Sequence, residues 1–146
     1  MTVLVTGGAG YIGSHMVLAL AEAGENVVVI DNLSTGFSAF VPENVPLFIG
    51  DAGDEHLVDG VISQHGVDSI IHFAGSVVVP ESVRDPLLYY RNNTMTTRSL
   101  LNAAVKRGVS RFIFSSTALA VASALPVGDI STERPAVGLP LRRVLN

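Results

Sequence analysis

Cysteine and tryptophan are absent from this 146-residue chain, lysine occurs once (Lys106), and there are 3 tyrosines. Without cysteine there is no disulfide scaffold, no thiolate zinc site and no thiol redox centre. Charge is sparse as well: Asp, Glu, Lys and Arg make up 15% of the residues and the net charge is −4. A surface of that sign offers no basic face to the phosphates of a nucleic acid. No apolar run reaches the roughly 18 residues needed to cross a bilayer, and no basic leader precedes a cleavage signal. The histidines stand at no metal-ligand spacing, so no metal is expected. These absences leave a soluble, cytoplasmic protein as the expectation, with neither nucleic acid nor membrane as partner. What is abundant is apolar side chain, 48% of the residues, which excludes a disordered chain. The length suggests one domain, burying roughly two-thirds of its unfolded surface.

The first stretch organises the rest. Thr2 to Val5 is short, apolar and β-branched, which predicts a strand. A turn with Gly7, Gly10 and Gly13 follows, and from Tyr11 the apolar residues Ile12, Met16, Ala19 and Ala23 recur at helical spacing. Glycines between a strand and a helix let backbone approach a pyrophosphate that a Cβ would repel. The unpaired N–H groups and positive dipole end of the helix then face the anion. Asp31 closes the next apolar run, where a ribose-binding carboxylate is expected. Together these predict a dinucleotide site.

The pattern repeats along the chain. Val27–Ile30, Pro46–Ile49, Ser69–Phe73 and Arg111–Ser115 read as further strands. A long loop runs from Asp31 to Pro46, and long loops beside a crevice are often functional. Asp54 caps a helix that turns Leu57, Val58, Val61 and Ile62 inward and stops at Gly66. Ala74-Gly75 opens a loop, and Asp85-Pro86 starts a helix that runs to about Arg107. Nearly continuous apolar strands alternating with helices mean an α/β fold: a Rossmann-like, doubly wound parallel sheet of order 3-2-1-4-5. After Thr117 the periodicity is lost among Pro126, Pro135, Gly138 and Pro140, and no sixth strand can be placed.

Up to about Ala118 the chain resembles the extended short-chain dehydrogenase/reductases, and within them the nucleotide-sugar epimerases. The stretches that carry this are Thr6-Gly7-Gly8-Ala9-Gly10-Tyr11-Ile12-Gly13-Ser14-His15, Asp31-Asn32-Leu33-Ser34, Gly50-Asp51 and Ile71-His72-Phe73-Ala74-Gly75. They continue through Glu81-Ser82-Val83, Asp85-Pro86-Leu87, Tyr89-Tyr90, Asn92-Asn93 and Phe112 to Ala118. The resemblance implies that Gly7, Gly10, Tyr11, Ile12 and Gly13 receive the pyrophosphate of NAD and that Asp31 holds the adenosine ribose, with Asn32 and Ser34 nearby. Asp51 and Ala52 would flank the adenine, and Phe73, Ala74, Gly75 and Asn92 the nicotinamide side. Thr117 would hydrogen-bond the substrate oxygen at C4. It also implies a UDP-sugar substrate oxidised at C4 to a 4-keto intermediate and reduced again on its other face. It further implies a division into an NAD-binding domain at 1–118 and an atypical, irregular tail at 119–146.

Two departures accompany the resemblance. Val77 stands where many family members carry a lysine. More seriously, the Tyr-x-x-x-Lys pair is missing. In the family its lysine and the cationic nicotinamide draw the tyrosine pKa from about 10 towards working pH, making it the base. Four positions after Tyr11, Tyr89 and Tyr90 stand His15, Asn93 and Thr94, and four before Lys106 stands Asn102. If Pro140 matches the family's Asn-Pro-Tyr-Gly segment, Leu141 replaces the tyrosine and Leu145 the lysine. Family members also continue into a C-terminal sugar-nucleotide domain. The expectation is therefore a truncated epimerase sequence, inactive by itself, or a module that binds NAD without catalysis.

Other residues carry plainer readings. Asp51 also reads as a neighbour of the cap Asp54, and Ser115, Ser116 and Thr117 as strand-end residues. His56 and His65 read as solvated helix residues, and Tyr89 and Tyr90 as packing or dimer contacts. Arg84, Arg91 and Arg98, seven apart, fall near one solvated helix face. No G-x-S-x-G elbow supports a hydrolase. An apolar last strand at Arg111–Ser115 predicts self-association or a homodimer.

Overall fold

The structure, a computed structural model, describes residues 1–116. Its β-branched runs form β1 (Thr2–Thr6) and β2 (Asn26–Asp31), which pair in parallel with Val3 opposite Val27 and Val5 opposite Val29. On its other edge β1 pairs with β4 (Ser69–His72), Val5 lying opposite Ile71. The short β3 (Leu47–Ile49) lies outside β2, and β5 (Arg111–Phe114) outside β4. The order is β3-β2-β1-β4-β5, all parallel, as the alternation of elements predicts.

Successive strand residues point to opposite faces, so β1 and β2 feed two cores. Leu4, Val28, Ile30 and Ile70 meet Val58, Val61 and Ile62 of helix α2 (Glu55–His65) and Leu100, Ala103 and Ala104 of helix α5 (Thr96–Arg107). Val3, Val5, Val29 and Ile71 meet Val17 of helix α1 (Tyr11–Glu22), with Val41 and Val45 of the loop after β2. Burying one such side chain contributes about 1.5–3 kcal/mol, so the two-sided sheet is the main source of stability.

Helix ends follow local chemistry. The Asp54 carboxylate accepts the N–H groups of His56 and Leu57 at 2.9 and 3.2 Å, and Gly66 ends α2 in the left-handed conformation. Arg107 grips Asp59 through two nitrogens, tying α5 to α2 and holding that carboxyl below its usual range.

Five expectations change. The inward face of α1 is Gly13, Ser14 and Val17; Ile12 and Met16 are half-buried, whereas Ala19 and Ala23 are exposed. The inward stripe is therefore set by where α1 crosses the sheet. The segment after Ala74-Gly75 holds a helix, α3 (Val79–Arg84), with Pro80 in its first turn, where proline is tolerated. The helix starting at Pro86 is α4 (Pro86–Tyr89), which passes through a π-helical turn (Tyr90–Met95) into α5. Arg84 thus lies on a separate helix from Arg91 and Arg98, and the three share no helix face. His65 is half-buried, stacks edge-on against Phe48 at 5.4 Å, and has a buried Nε2 rather than a solvated ring.

Candidate functional site

In this order the chain leaves β1 in one direction towards β2 and later returns on its other side at β4. Crevices of open α/β sheets lie at such a switch, outside the C-terminal strand ends. A cleft lies there, and its walls include Gly7, Gly10, Ile30, Asp31, Asn32, Ser34, Asp51, Ala52, Phe73, Ala74, Gly75 and Asn92.

The glycine turn is built for close approach. Gly7 has φ +71°, and a Cβ there would stand 2.6 Å from the backbone nitrogen of Ala74, so the turn presses directly on the end of β4. A Cβ at Gly13 would stand 2.1 Å from the carbonyl oxygen of Gly7, which is why α1 can lie against the turn. Gly10 differs: its Cβ would meet only one neighbour, the Gly7 oxygen at 3.3 Å, and its φ of −77° suits any residue. Another residue there asks the Gly7 oxygen to give by a few tenths of an ångström, far less than at Gly7 or Gly13. Gly10 is also the N-cap of α1, supplies no side-chain cap, and is followed by no acidic residue in the first turn. The first N–H groups of a helix have no partner within it, and here no side chain of the first turn supplies one.

Asp31 is the second wall. It is buried, and its two oxygens accept the N–H groups of Ala9 at 2.9 Å and Leu33 at 2.8 Å. Each oxygen keeps a second acceptor site, which fits hydroxyl donors from a ribose. Asp51 turns its own Oδ1 to the N–H of Gly53 at 2.7 Å, while Ala52 is buried against the core.

On the far side, β4 runs into Phe73-Ala74-Gly75-Ser76. The Asn93 amide accepts from the N–H of Ser76 at 2.7 Å and donates to its carbonyl at 2.9 Å, and Asn92 donates to the Ser76 hydroxyl at 3.0 Å. Beneath lies His72, 1% exposed, with Nδ1 2.6 Å from the Thr6 hydroxyl and Nε2 3.0 Å from that of Thr97. Burial pulls its pKa down to about 4, so the ring is neutral at pH 7, donating through one nitrogen and accepting through the other. It is a tie between β1, β4 and α5.

Of the residues expected at the site, Tyr11, Ile12 and Gly13 stand outside the cleft wall; Tyr11 is 74% exposed and packs on His15. Thr117, Leu141, Leu145 and the whole 119–146 tail lie outside the described residues. The cleft adds Ile30, Thr35, Gly50, Ser76 and Thr96. Thr96 follows Asn92 by four, a spacing that would have found it. Of the tyrosines, Tyr90 is exposed, and the Tyr89 hydroxyl is held by Glu81 and the Val78 backbone. Desolvation and the Glu81 hydrogen bond push Tyr89 above the ordinary tyrosine value, the wrong direction for a base. Among the described residues no group of three His, Cys, Asp or Glu comes together to hold a metal, and no helix is long and apolar enough to cross a membrane.

The sequence profile of the NAD dependent epimerase/dehydratase family matches residues 3–139. A UDP-glucose 4-epimerase of Azospirillum brasilense is 55% identical over 116 residues, covering 80% of this chain and 33% of that protein. One from Erwinia amylovora is 42% identical over 139 residues, covering 90% of this chain and 41% of that protein. Among solved structures, the Thermus thermophilus UDP-glucose 4-epimerase in complex with NAD superposes with a TM-score of 0.78 at 41% identity, covering 80% of this chain and 38% of that one. The Bifidobacterium longum enzyme in complex with NAD+ and UDP gives 0.77 at 36% identity, covering 89% and 42%. The chain spans well under half the length of the relatives it matches.

Proposed function

Since the chain belongs to the NAD dependent epimerase/dehydratase family, we propose that it is the NAD-holding part of a UDP-glucose 4-epimerase. The observation that carries this reading is the uncapped N-terminus of α1 at Gly10, in one cleft with the buried Asp31 carboxylate. Gly7 and Gly10 would admit the pyrophosphate, and Asp31, Asn32 and Ser34 would face the adenosine ribose. Asp51 and Ala52 would flank the adenine, with Phe73, Ala74, Gly75 and Asn92 at the nicotinamide end and Thr117 at the sugar. When bound, NAD supplies the acceptor and donor of a hydride at C4 of a UDP-sugar.

The 146 residues as they stand carry no turnover in this proposal. Loss of a general base costs about 10²–10⁴ in rate, and no Tyr-x-x-x-Lys occurs in this sequence. Positioning of the sugar, worth roughly 7–11 kcal/mol, falls to residues outside this stretch. The NAD-binding domain would comprise residues 1–118 and sit in the cytoplasm. β5, with Ile113 37% and Phe114 44% exposed among the described residues, is the edge through which copies would associate. The second reading, a module that binds NAD and does no chemistry, rests on the same missing pair.

Calorimetric titration tests the cofactor. NAD is expected to bind, NADP more weakly because Asp31 repels a 2′-phosphate, and Gly10→Val to abolish binding in a chain that still folds. Normal binding by Gly10→Val, or NADP binding as tightly as NAD, refutes the reading. A coupled assay of UDP-galactose to UDP-glucose is expected to show no conversion above the Gly10→Val control; measurable turnover would mean another residue serves as base.

A further inference from the structure

The backbone of Ala9, in the middle of the glycine turn, is held from both sides, by the last residue of β2 and by the loop that follows it. Its N–H donates to Oδ2 of Asp31 at 2.9 Å, and its carbonyl accepts the N–H of Phe37 at 3.0 Å. The other Asp31 oxygen takes the N–H of Leu33, whose φ of 57° is the one positive value at a non-glycine residue among the described residues. The loop therefore curls back and closes on the turn. At the closing point lies Gly36, buried, with no part in the cleft wall. A Cβ on Gly36 would stand 2.8 Å from both the carbonyl carbon and oxygen of Ala9 and 3.0 Å from its Cβ. Two of those three are backbone atoms one residue before Gly10, so no rotamer change relieves the contact.

We propose that Gly36 is a positioning residue of the nucleotide cleft: its bare α-carbon lets the 31–37 loop seat on the Ala9 peptide and sets the spacing between Gly10 and Asp31. The proposal rests on the reading of the cleft as a dinucleotide site and deepens it. A dinucleotide touches the glycine turn with its pyrophosphate and the loop with its adenosine ribose, so both walls must be in register. Adenosine needs the loop wall and the Asp51–Ala52 segment but not the glycine turn. Gly36→Ala would leave every polar group in place and shift one wall against the other.

The test measures NAD, ADP and adenosine affinity in the wild-type chain, in Gly36→Ala and in Gly60→Ala, a control whose Cβ meets nothing within 4 Å on α2. The expected result is a loss of about tenfold or more for NAD and ADP in Gly36→Ala, with adenosine unchanged and Gly60→Ala like wild type. Undiminished NAD affinity in Gly36→Ala overturns the proposal, as does an equal loss for all three ligands, which is the mark of a merely loosened fold. Should Gly36→Ala fail to fold, amide exchange in the free wild-type chain decides. A protected Phe37 N–H supports the seat, and exchange at the rate of an open loop sinks it. A wild-type chain that binds no NAD at all would instead refute the nucleotide reading, while the Phe37 amide would still report on the seat.

Discussion

Helices α1 and α2 begin in opposite ways. Both leave N–H groups without partners in their first turn, and both follow a loop at the C-terminal edge of the sheet. At α2 the chain satisfies itself: the Asp54 carboxylate accepts two of those N–H groups, and Glu55 adds an acid to the first turn. At α1 it supplies nothing, since Gly10 has no side chain and no acid follows. The same electrostatic need is met internally at one helix and left open at the other. In the proposed reading the helix end that the chain leaves unfinished beside a crevice is the one that takes the ligand, and the end that it caps is scaffold.

The largest expected effect comes from finishing the wrong end. Gly10→Asp would place a cap and a negative charge at the start of α1, and NAD affinity is expected to fall by about a hundredfold or more, roughly 3 kcal/mol. Thermal stability of the free chain is expected to hold or rise. Calorimetry with a melting curve checks both; retained affinity would show that the helix end takes no part in binding.

Acid separates the regions next. The turn before α1 rests on His72, whose folded pKa of about 4 lies below the 6.5 of an unfolded histidine. Above pH 6.5 both states hold a neutral ring, and its contribution is complete. As pH falls from 6.5 to about 4 only the unfolded chain takes up the proton, so stability declines, by about 3 kcal/mol in all. Below that window this group adds no further slope. Urea unfolding at stepped pH measures it, and His72→Gln is expected to flatten that part of the profile. An unchanged slope would deny the neutral tie to Thr6 and Thr97.

The smallest effect sharpens the contrast from the scaffold side. Asp54→Ala is expected to cost about 1 kcal/mol of stability by denaturant titration. NAD affinity is expected to stay within twofold. A large loss of affinity would mean that the two helix ends are not separate in function.

Much of this was legible along the chain. The β-branched runs and their alternation with helices are enough to predict the sheet order, because a parallel crossover is right-handed and the first βα unit carries its own glycine signature. The caps at Asp54 and Gly66 and the helix start at Asp85-Pro86 were equally readable, because they are local chemistry. The reading failed where tertiary contact overrides local preference. Val77-Val78-Val79-Pro80 looks like extended loop, yet it leads into α3, fastened by the Tyr89 hydroxyl on Val78 and Glu81. The run from Pro86 to Arg107 looks like one regular helix, yet it opens into a π turn where Asn92 and Asn93 bind Ser76.

What the amino-acid sequence determined by itself is the sheet, its order and the glycine turn with Asp31 downstream, since each follows from periodicity or from one residue's own backbone. Only the tertiary structure decided what each glycine is for. Gly10 and Gly13 belong to one pattern in the sequence and Gly36 to none, yet Gly13 lets α1 rest on Gly7 and Gly36 lies against Ala9, while Gly10 has a single, milder contact. Which atoms a missing Cβ would have met is a matter of distance between segments far apart in the chain, and no local pattern encodes that distance.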